Sequence, residues 1–564
     1  MKRYITYFVT SIILSLCLCN IFSGNGKAAA AGDVKIDAVN FPDSYVRAAI
    51  KEKDSDKNGV LSQEEINKVK KLSIVAQNEK TEEKYSVNLH GISIFTNIAD
   101  INVAGTTIEH EEELFSLPHI EKLGLSYDCK MSKLDMGKFS NIKSLFLYAT
   151  EVNEIDLSKN TKLEKLDIYI PHTQNMKQLD LSNNKNLTFL ELATDNPDKV
   201  LVGSAINLSK LVLWMYGTGS VNIGNLSSLK EFKIQYSHNF DKLNINNCQK
   251  LETCNIETCK KLTKVNLSTL PNLKELNIKT EKLKELNVSS LTNLTKIKLI
   301  TPKLKKLVVS QKSKLHTLWI FASDLTNLDM SRMRKIESLD IRSKKIKKIN
   351  MSYAKQLQYL HMYNLKNLKH LDLSKQKKLI QLDLASMKKL KKIVFPKKKI
   401  SWERIELVNC KALDIPMEKL SKVKELCVRG NKKISTLDLR KFKRLYELEW
   451  TEGVLKKVKW GKPKKLTFLN VNSNKLSGKW DLRKNLSGVS KIECYDNRLT
   501  TIIGGKHNVL LYCDKNRLKK VDMRATKNLS VLSCVKNKGV RVYMPTELED
   551  GPNVDRSAKV IYKK

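Results

Sequence analysis

Leu273-Lys274-Glu275-Leu276-Asn277-Ile278 is followed, ten residues after its start, by Leu283-Lys284-Glu285-Leu286-Asn287-Val288. Both stretches place apolar side chains at their first, fourth and sixth positions. Toward the N terminus the first stretch recurs at Leu251, Leu229, Leu208, Leu187, Leu163, Ile142 and Ile120. Toward the C terminus it recurs at Leu294, Leu315, Ile336, Leu357, Leu379, Trp402, Val423, Leu445, Leu466, Val489, Asn508 and Leu529, with Asn508 a poor match. Most steps are 21 or 22 residues. The second stretch forms an interleaved series that includes Val152, Leu262, Leu304, Leu325, Ile346, Leu368, Leu390 and Leu518. Apolar residues so spaced, with asparagine-bearing turns between them, do not keep the helical period of about 3.6 residues.

A repeat of about 20 to 29 residues with this pattern is the signature of leucine-rich repeats. The fold expected is therefore an α/β solenoid of about twenty coils, with a parallel β-sheet on one face. Each coil has two half-turns of 10 or 11 residues. Neither buries its apolar edge alone, but stacked coils do so together. Length alone would suggest several ordinary domains, and the repeat overrules it. The boundaries expected are a signal peptide over 1–31, an N-terminal cap over 32–118, the solenoid over 119–540 and a C-terminal cap over 541–564.

The two series differ at their outward positions. The first carries rings there, among them Phe146, Phe189, Trp214, Tyr216, Tyr236, Trp319, Phe321, Tyr359, Tyr446 and Phe468. The second is nearly free of them. Exposed rings on a rigid surface are costly unless they meet a partner, so the first series is expected to line a ligand-binding face. The alternative is that these rings pack on neighbouring coils as part of the scaffold.

The N terminus runs Lys2-Arg3, a largely apolar stretch from Ile5 to Phe22, then Ala28-Ala29-Ala30-Ala31. That order is a secretory signal, the alternative being a short membrane anchor, and no later stretch is long and apolar enough to span a bilayer. Asp54-Ser55-Asp56-Lys57-Asn58-Gly59-Val60-Leu61-Ser62-Gln63-Glu64-Glu65 then matches a twelve-residue EF-hand loop. Asp54, Asp56 and Asn58 offer side-chain oxygens, Val60 its carbonyl, Ser62 a direct or water-borne ligand, and Glu65 two closing oxygens. Gly59 stands where the sharp turn is needed. Amphipathic patterning predicts helices over 43–53 and 64–71. A single such loop outside the cell points to one structural Ca2+ ion.

These features together resemble secreted and surface leucine-rich repeat proteins of Gram-positive bacteria. In that group an EF-hand-like head, here Phe41-Pro42-Asp43 followed by Asp54 to Glu65, precedes repeats similar to Ile155-Asp156-Leu157-Ser158-Lys159-Asn160-Thr161-Lys162-Leu163. The architecture is similar to that of the internalin class of adhesins. The chain departs from it in carrying no C-terminal L-P-x-T-G signal. The resemblance implies protein or glycan binding at an extracellular or cell-surface location.

Charge is unevenly spread. The chain has 102 Lys+Arg against 59 Asp+Glu, a net charge of +43. Residues 32–118 carry a net −6, and residues 301–400 a net +20. Lys347, Lys348, Lys391, Lys392, Lys397, Lys398 and Lys399 are dense points. Such a surface attracts anionic glycans or wall polymers, or else keeps a long solenoid soluble. Either way it makes a second functional class available, a wall-associated structural protein held by lysine–polyanion attraction. No nucleic-acid module appears. Eleven cysteines, two of them in the expected leader, leave an odd number, which suits buried apolar packing better than a disulfide framework. Cys494, Cys513 and Cys534 follow the repeat period, Cys254 falls on a core position, and no zinc spacing occurs. No catalytic motif is present, and the nine His have no partner at metal or triad spacing along the chain. The function expected is that of a binding protein, not an enzyme.

Overall fold

The computed structural model describes residues 32–77, 84–126, 134–148, 155–169, 179–194, 200–201, 207–215, 218–237, 239–398, 400–461, 463–545 and 551–562. The expected signal peptide, Cys129, Tyr216 and Lys399 lie outside them. The chain divides into two compact units, Met1–Leu187 and Thr188–Lys564.

In the first unit, Asp43 caps the helix Ser44–Lys51 by accepting from the amides of Tyr45 and Val46. A second helix, Gln63–Lys68, begins at Ser62, whose hydroxyl accepts from the Glu65 amide. Both helices are shorter than their sequence pattern suggests. The second ends early because Lys71–Val75 is already a strand, with Leu72 and Ile74 turned inward. That strand pairs in parallel with Asp100–Ala104, which pairs with Lys122–Ser126. Ser144–Tyr148 and Lys165–Tyr169 continue the ladder. The parallel ladder thus starts inside the segment 32–118.

In the second unit seventeen described strands, from Phe189–Thr194 to Val531–Ser533, form one parallel ladder. The inward positions stack in columns. Leu318, Leu339, Leu360, Leu382, Ile405 and Leu426 form one column, in register and buried. A fully buried leucine or isoleucine is worth about 1.5–3 kcal/mol, so the columns supply most of the driving force. The second half-turns also make short parallel strands, such as Glu285–Val288 with Lys306–Val309 and His370–Asp372 with Lys392–Val394. Half-turns of this length leave little room for a helix between two turns. Among the described residues, α-helix is confined to Ser44–Lys51, Gln63–Lys68, Glu111–Phe115 and Leu482–Asn485. Near the C terminus Arg541–Met544 and Lys559–Tyr562 complete a five-stranded sheet.

Asn508, the poor match, is buried and fully used. Its side chain donates to the carbonyls of Leu486 and Val489 and accepts from the Gly505 amide. The eight described cysteines are unpaired. Cys494, Cys513 and Cys534 are fully buried, one to a coil, as small apolar packing residues are. No helix among the described residues is long and apolar enough to cross a membrane.

Candidate functional site

Four sets of residues carry chemistry, three of them named from the sequence. The first is the loop between the two N-terminal helices. Lys57 and Gly59 both take positive φ, 57° and 82°, and curl the chain around its own acidic side chains. Asp54 accepts from the amides of Asn58 and Gly59, at 3.2 and 2.8 Å, and Asn58 accepts from the Val60 amide at 2.7 Å. Glu65 is 8% exposed. Its carboxylate receives the amide and hydroxyl of Ser55 on one oxygen and those of Ser62 on the other. Burial opposes its charge, but these four donors outweigh burial and hold its pKa down at about 2. Carboxylate oxygens of Asp54, Asp56 and Glu65 lie within 4.8 Å of one another. Hard oxygen donors converging on one point suit a calcium-sized cation. Val60 and Leu61 pair antiparallel with Lys35 and Val34, so the loop leans on the chain's own N-terminal strand.

The second set is the outward face of the first-series strands. In the first unit Phe146 is 37% exposed, and Tyr148 stacks on Tyr169 at 4.3 Å. In the second unit Trp214 stacks on Tyr236 at 5.2 Å and donates its indole N–H to Glu191. Lys210 stands near Phe189, Lys298 lies 4.1 Å from the Trp319 ring centre, and Lys491 covers Phe468. Tyr446 donates to the Glu425 carboxylate, which pushes the phenol up to about 12. Phe321 is half-buried, and Tyr359 is 39% exposed. The rings named from sequence that fall among the described residues thus sit outside the core, most of them half-covered by neighbouring coils.

The lysines form the third set. Lys347, Lys348, Lys391, Lys392, Lys397 and Lys398 are exposed and belong to second-series half-turns, not to the ring-bearing strands. Lys391 follows Lys369 on the next coil, where its amide donates to the Lys369 carbonyl, and Lys305 stands to Lys284 in the same way. Stacking like charges on neighbouring coils concentrates positive potential on one side of each coil.

Reading along the chain misses one group altogether. The ladder brings Asp340, His361, Asp383 and Glu406 into a single outward column. His361 Nε2 lies 3.4 Å from Asp383 Oδ2, which also accepts from Gln381 at 2.8 Å. Arg342 approaches Asp340 at 3.6 Å, and Arg404 pairs with Glu406 at 2.5 Å. Burial raises the pKa of Asp340 and Asp383, against the pull of the nearby positive groups. The available signal was the fifth position of each repeat read coil by coil, since neighbours in space are 21 to 23 residues apart.

No protein-family model and no curated protein matches the sequence. Among solved structures, the chain is similar to the functional domain of InlJ from Listeria monocytogenes at 17% identity and a TM-score of 0.40, covering 80% of this chain and 84% of that one. It is also similar to the internalin InlF of Listeria monocytogenes, with 17% identity, a TM-score of 0.36 and coverage of 71% and 98%. A leucine-rich repeat protein of Leptospira interrogans matches at 18% identity and a TM-score of 0.36, covering 78% and 93%.

Proposed function

We propose that the protein is a secreted or cell-surface binding protein of adhesin-like type. Its leucine-rich repeat scaffold presents the first-series face to a protein or an anionic glycan. A structural Ca2+ ion, held by Asp54, Asp56, Asn58, the Val60 carbonyl, Ser62 and Glu65, neutralises the loop's charge and braces the N-terminal region. The observation that carries the reading is the display of rings on nearby strands of one ladder, Trp319 and Phe321 on one and Tyr359 and Tyr363 two strands on. Rings fixed by the backbone lose little further freedom when a ligand docks. The lysine columns support a second reading, retention on anionic wall polymer without a specific ligand.

The test is binding of the chain from Gly32 onward to glycans, wall polymers and intact cells at low and physiological salt. Tyr359→Ala is expected to weaken selective, salt-resistant binding by about tenfold, as loss of a central aromatic anchor does. Replacing Lys347, Lys348, Lys391 and Lys392 by Gln should flatten the salt dependence and leave that selective component in place. Binding to every polyanion that vanishes with salt and ignores Tyr359→Ala would decide for the tether.

A further inference from the structure

We propose that the column Asp340–His361–Asp383–Glu406 receives the cationic side chains, lysine or arginine, of a polypeptide ligand. The inference rests on the first-series face being the binding face, and it specifies the charge of what binds there. Strands in the ladder are about 4.8 Å apart, so Asp340 and Asp383 flank His361 at roughly 10 Å from each other. The column stays acid-rich beyond Glu406, through Cys427, Glu449, Asn470 and Glu493. In a chain of net charge +43, this column gathers acids on the ring-bearing face, beside Arg342 and Arg404 of the same strands.

A second observation points to a missing donor. Asp383 is only 7% exposed, and its Oδ1 has no hydrogen-bond partner. Burying a carboxylate oxygen without a donor is costly, and a cation docked against the column offsets that cost through its charge. Burial presses against ionisation of Asp383, and the Glu406 charge adds to that pressure. A hydroxyl would supply only the hydrogen bond, whereas an ammonium or guanidinium also offsets both charges. The surroundings already hold cations in this manner. Lys298 rests over Trp319, and Arg342 lies 4.6 Å from the Tyr363 ring centre. Tyr359 and Tyr363 flank His361 on its own strand, giving apolar surface for a peptide's other side chains. A chelated metal fits less well. Among the described residues the ligand atoms that converge within 4.8 Å are those of Asp54, Asp56 and Glu65, not those of this column.

The experiment uses the full chain and a fluorescein-labelled peptide of alternating lysine and leucine, with binding read by anisotropy at physiological salt. Saturable binding is expected, weakened about tenfold by the paired substitution Asp340→Asn and Asp383→Asn, and not weakened by Lys391→Gln with Lys392→Gln. Thermal melts check that the variants fold. Glu406→Gln, at a half-buried position, gives an independent variant expected to weaken binding in the same direction. No binding to the unmodified chain would overturn the inference, as would equal binding to the Asn variants. Spermine binding as tightly as the peptide would overturn the polypeptide assignment. If the peptide fails to bind while Tyr359→Ala still weakens selective cell binding, the cationic inference falls and the face reading stands. If both effects are missing, both fall.

Discussion

Asn497→Ala is expected to destabilise the C-terminal coils by about 2 kcal/mol, a large loss for one small side chain. The Asn497 amide donates to the carbonyls of Val471, Cys494 and Tyr495, at 2.9, 3.2 and 3.2 Å. Its oxygen accepts from the Leu476 amide at 3.0 Å. Val471 and Leu476 belong to the preceding coil, so one side chain staples two coils together. Asn474, Asn516 and Asn537 repeat the arrangement. Alanine leaves the Leu476 amide without a partner and takes one donor from each of three carbonyls, which keep the Asn474 side chain (Val471), the Asn516 side chain (Cys494) and the Ser473 amide (Tyr495). Aspartate should be worse, since it turns a donor into a fourth acceptor among three carbonyls. Asn350, exposed and bonded only to the Ser352 amide two residues on, is the control, and its alanine variant should change stability by less than about 0.5 kcal/mol. Because coils contact mainly their neighbours, the damage should be local. Hydrogen exchange should find the Leu476 amide and the coils beyond it opening first. A loss below about 1 kcal/mol by chemical denaturation would refute the staple.

That staple marks the limit of what the sequence displays. Leucines at the first, fourth and sixth positions are legible because one steric demand, filling the inside of a coil, recurs at every turn. The sheet follows, since a parallel ladder is the arrangement that lets such coils share one core. Asn497 is legible as a turn residue but not as a clamp, because its partners Val471 and Leu476 lie a coil away. His361 and Asp383 are hidden for the same reason. They are 22 residues apart along the chain and 3.4 Å apart in space. Coil lengths of 21, 22 and 23 residues blur the column unless each repeat is first aligned by its own leucines. The N-terminal helices fail differently. Their amphipathic pattern runs on past Lys68, but Val69 leaves the helical conformation with ψ at 102° so that Lys71–Val75 can join the ladder. Tertiary pairing there overrides local periodicity.

Chelation of calcium is expected to lower the stability of the N-terminal region, and Asp56→Asn should weaken that response while leaving the chelated protein nearly unchanged. The loop has three carboxylates whose oxygens come within 4.8 Å of one another, and a bound cation removes their repulsion. On the proposed extracellular reading, such a site has a dissociation constant of about 0.1–1 mM, so a tenfold excess of calcium would stabilise by about 1.4 kcal/mol. Asp56 is the discriminating residue. It is exposed, and its side chain bonds only to the amide and side chain of Asn58, two residues on. Asn in its place keeps an acceptor for the amide and removes one charge from the ion's shell. The variant's intrinsic stability should therefore shift by no more than about 0.5 kcal/mol. Glu65→Gln should behave differently. Glu65 is buried, takes four hydrogen bonds from Ser55 and Ser62, and closes the capping box of Gln63–Lys68. An amide group can accept those donors on only one of its two arms, so this variant should be less stable than the chelated parent and also unresponsive to calcium. The two variants separate the ion's contribution from that of the cap, which a single knockout would merge. Thermal melts of the parent and both variants, with calcium and with chelator, read the result. A parent that melts identically in both solutions would show that this loop is held by its own hydrogen bonds and needs no ion, and an Asp56→Asn variant that keeps the full shift would show that Asp56 does not ligate the ion.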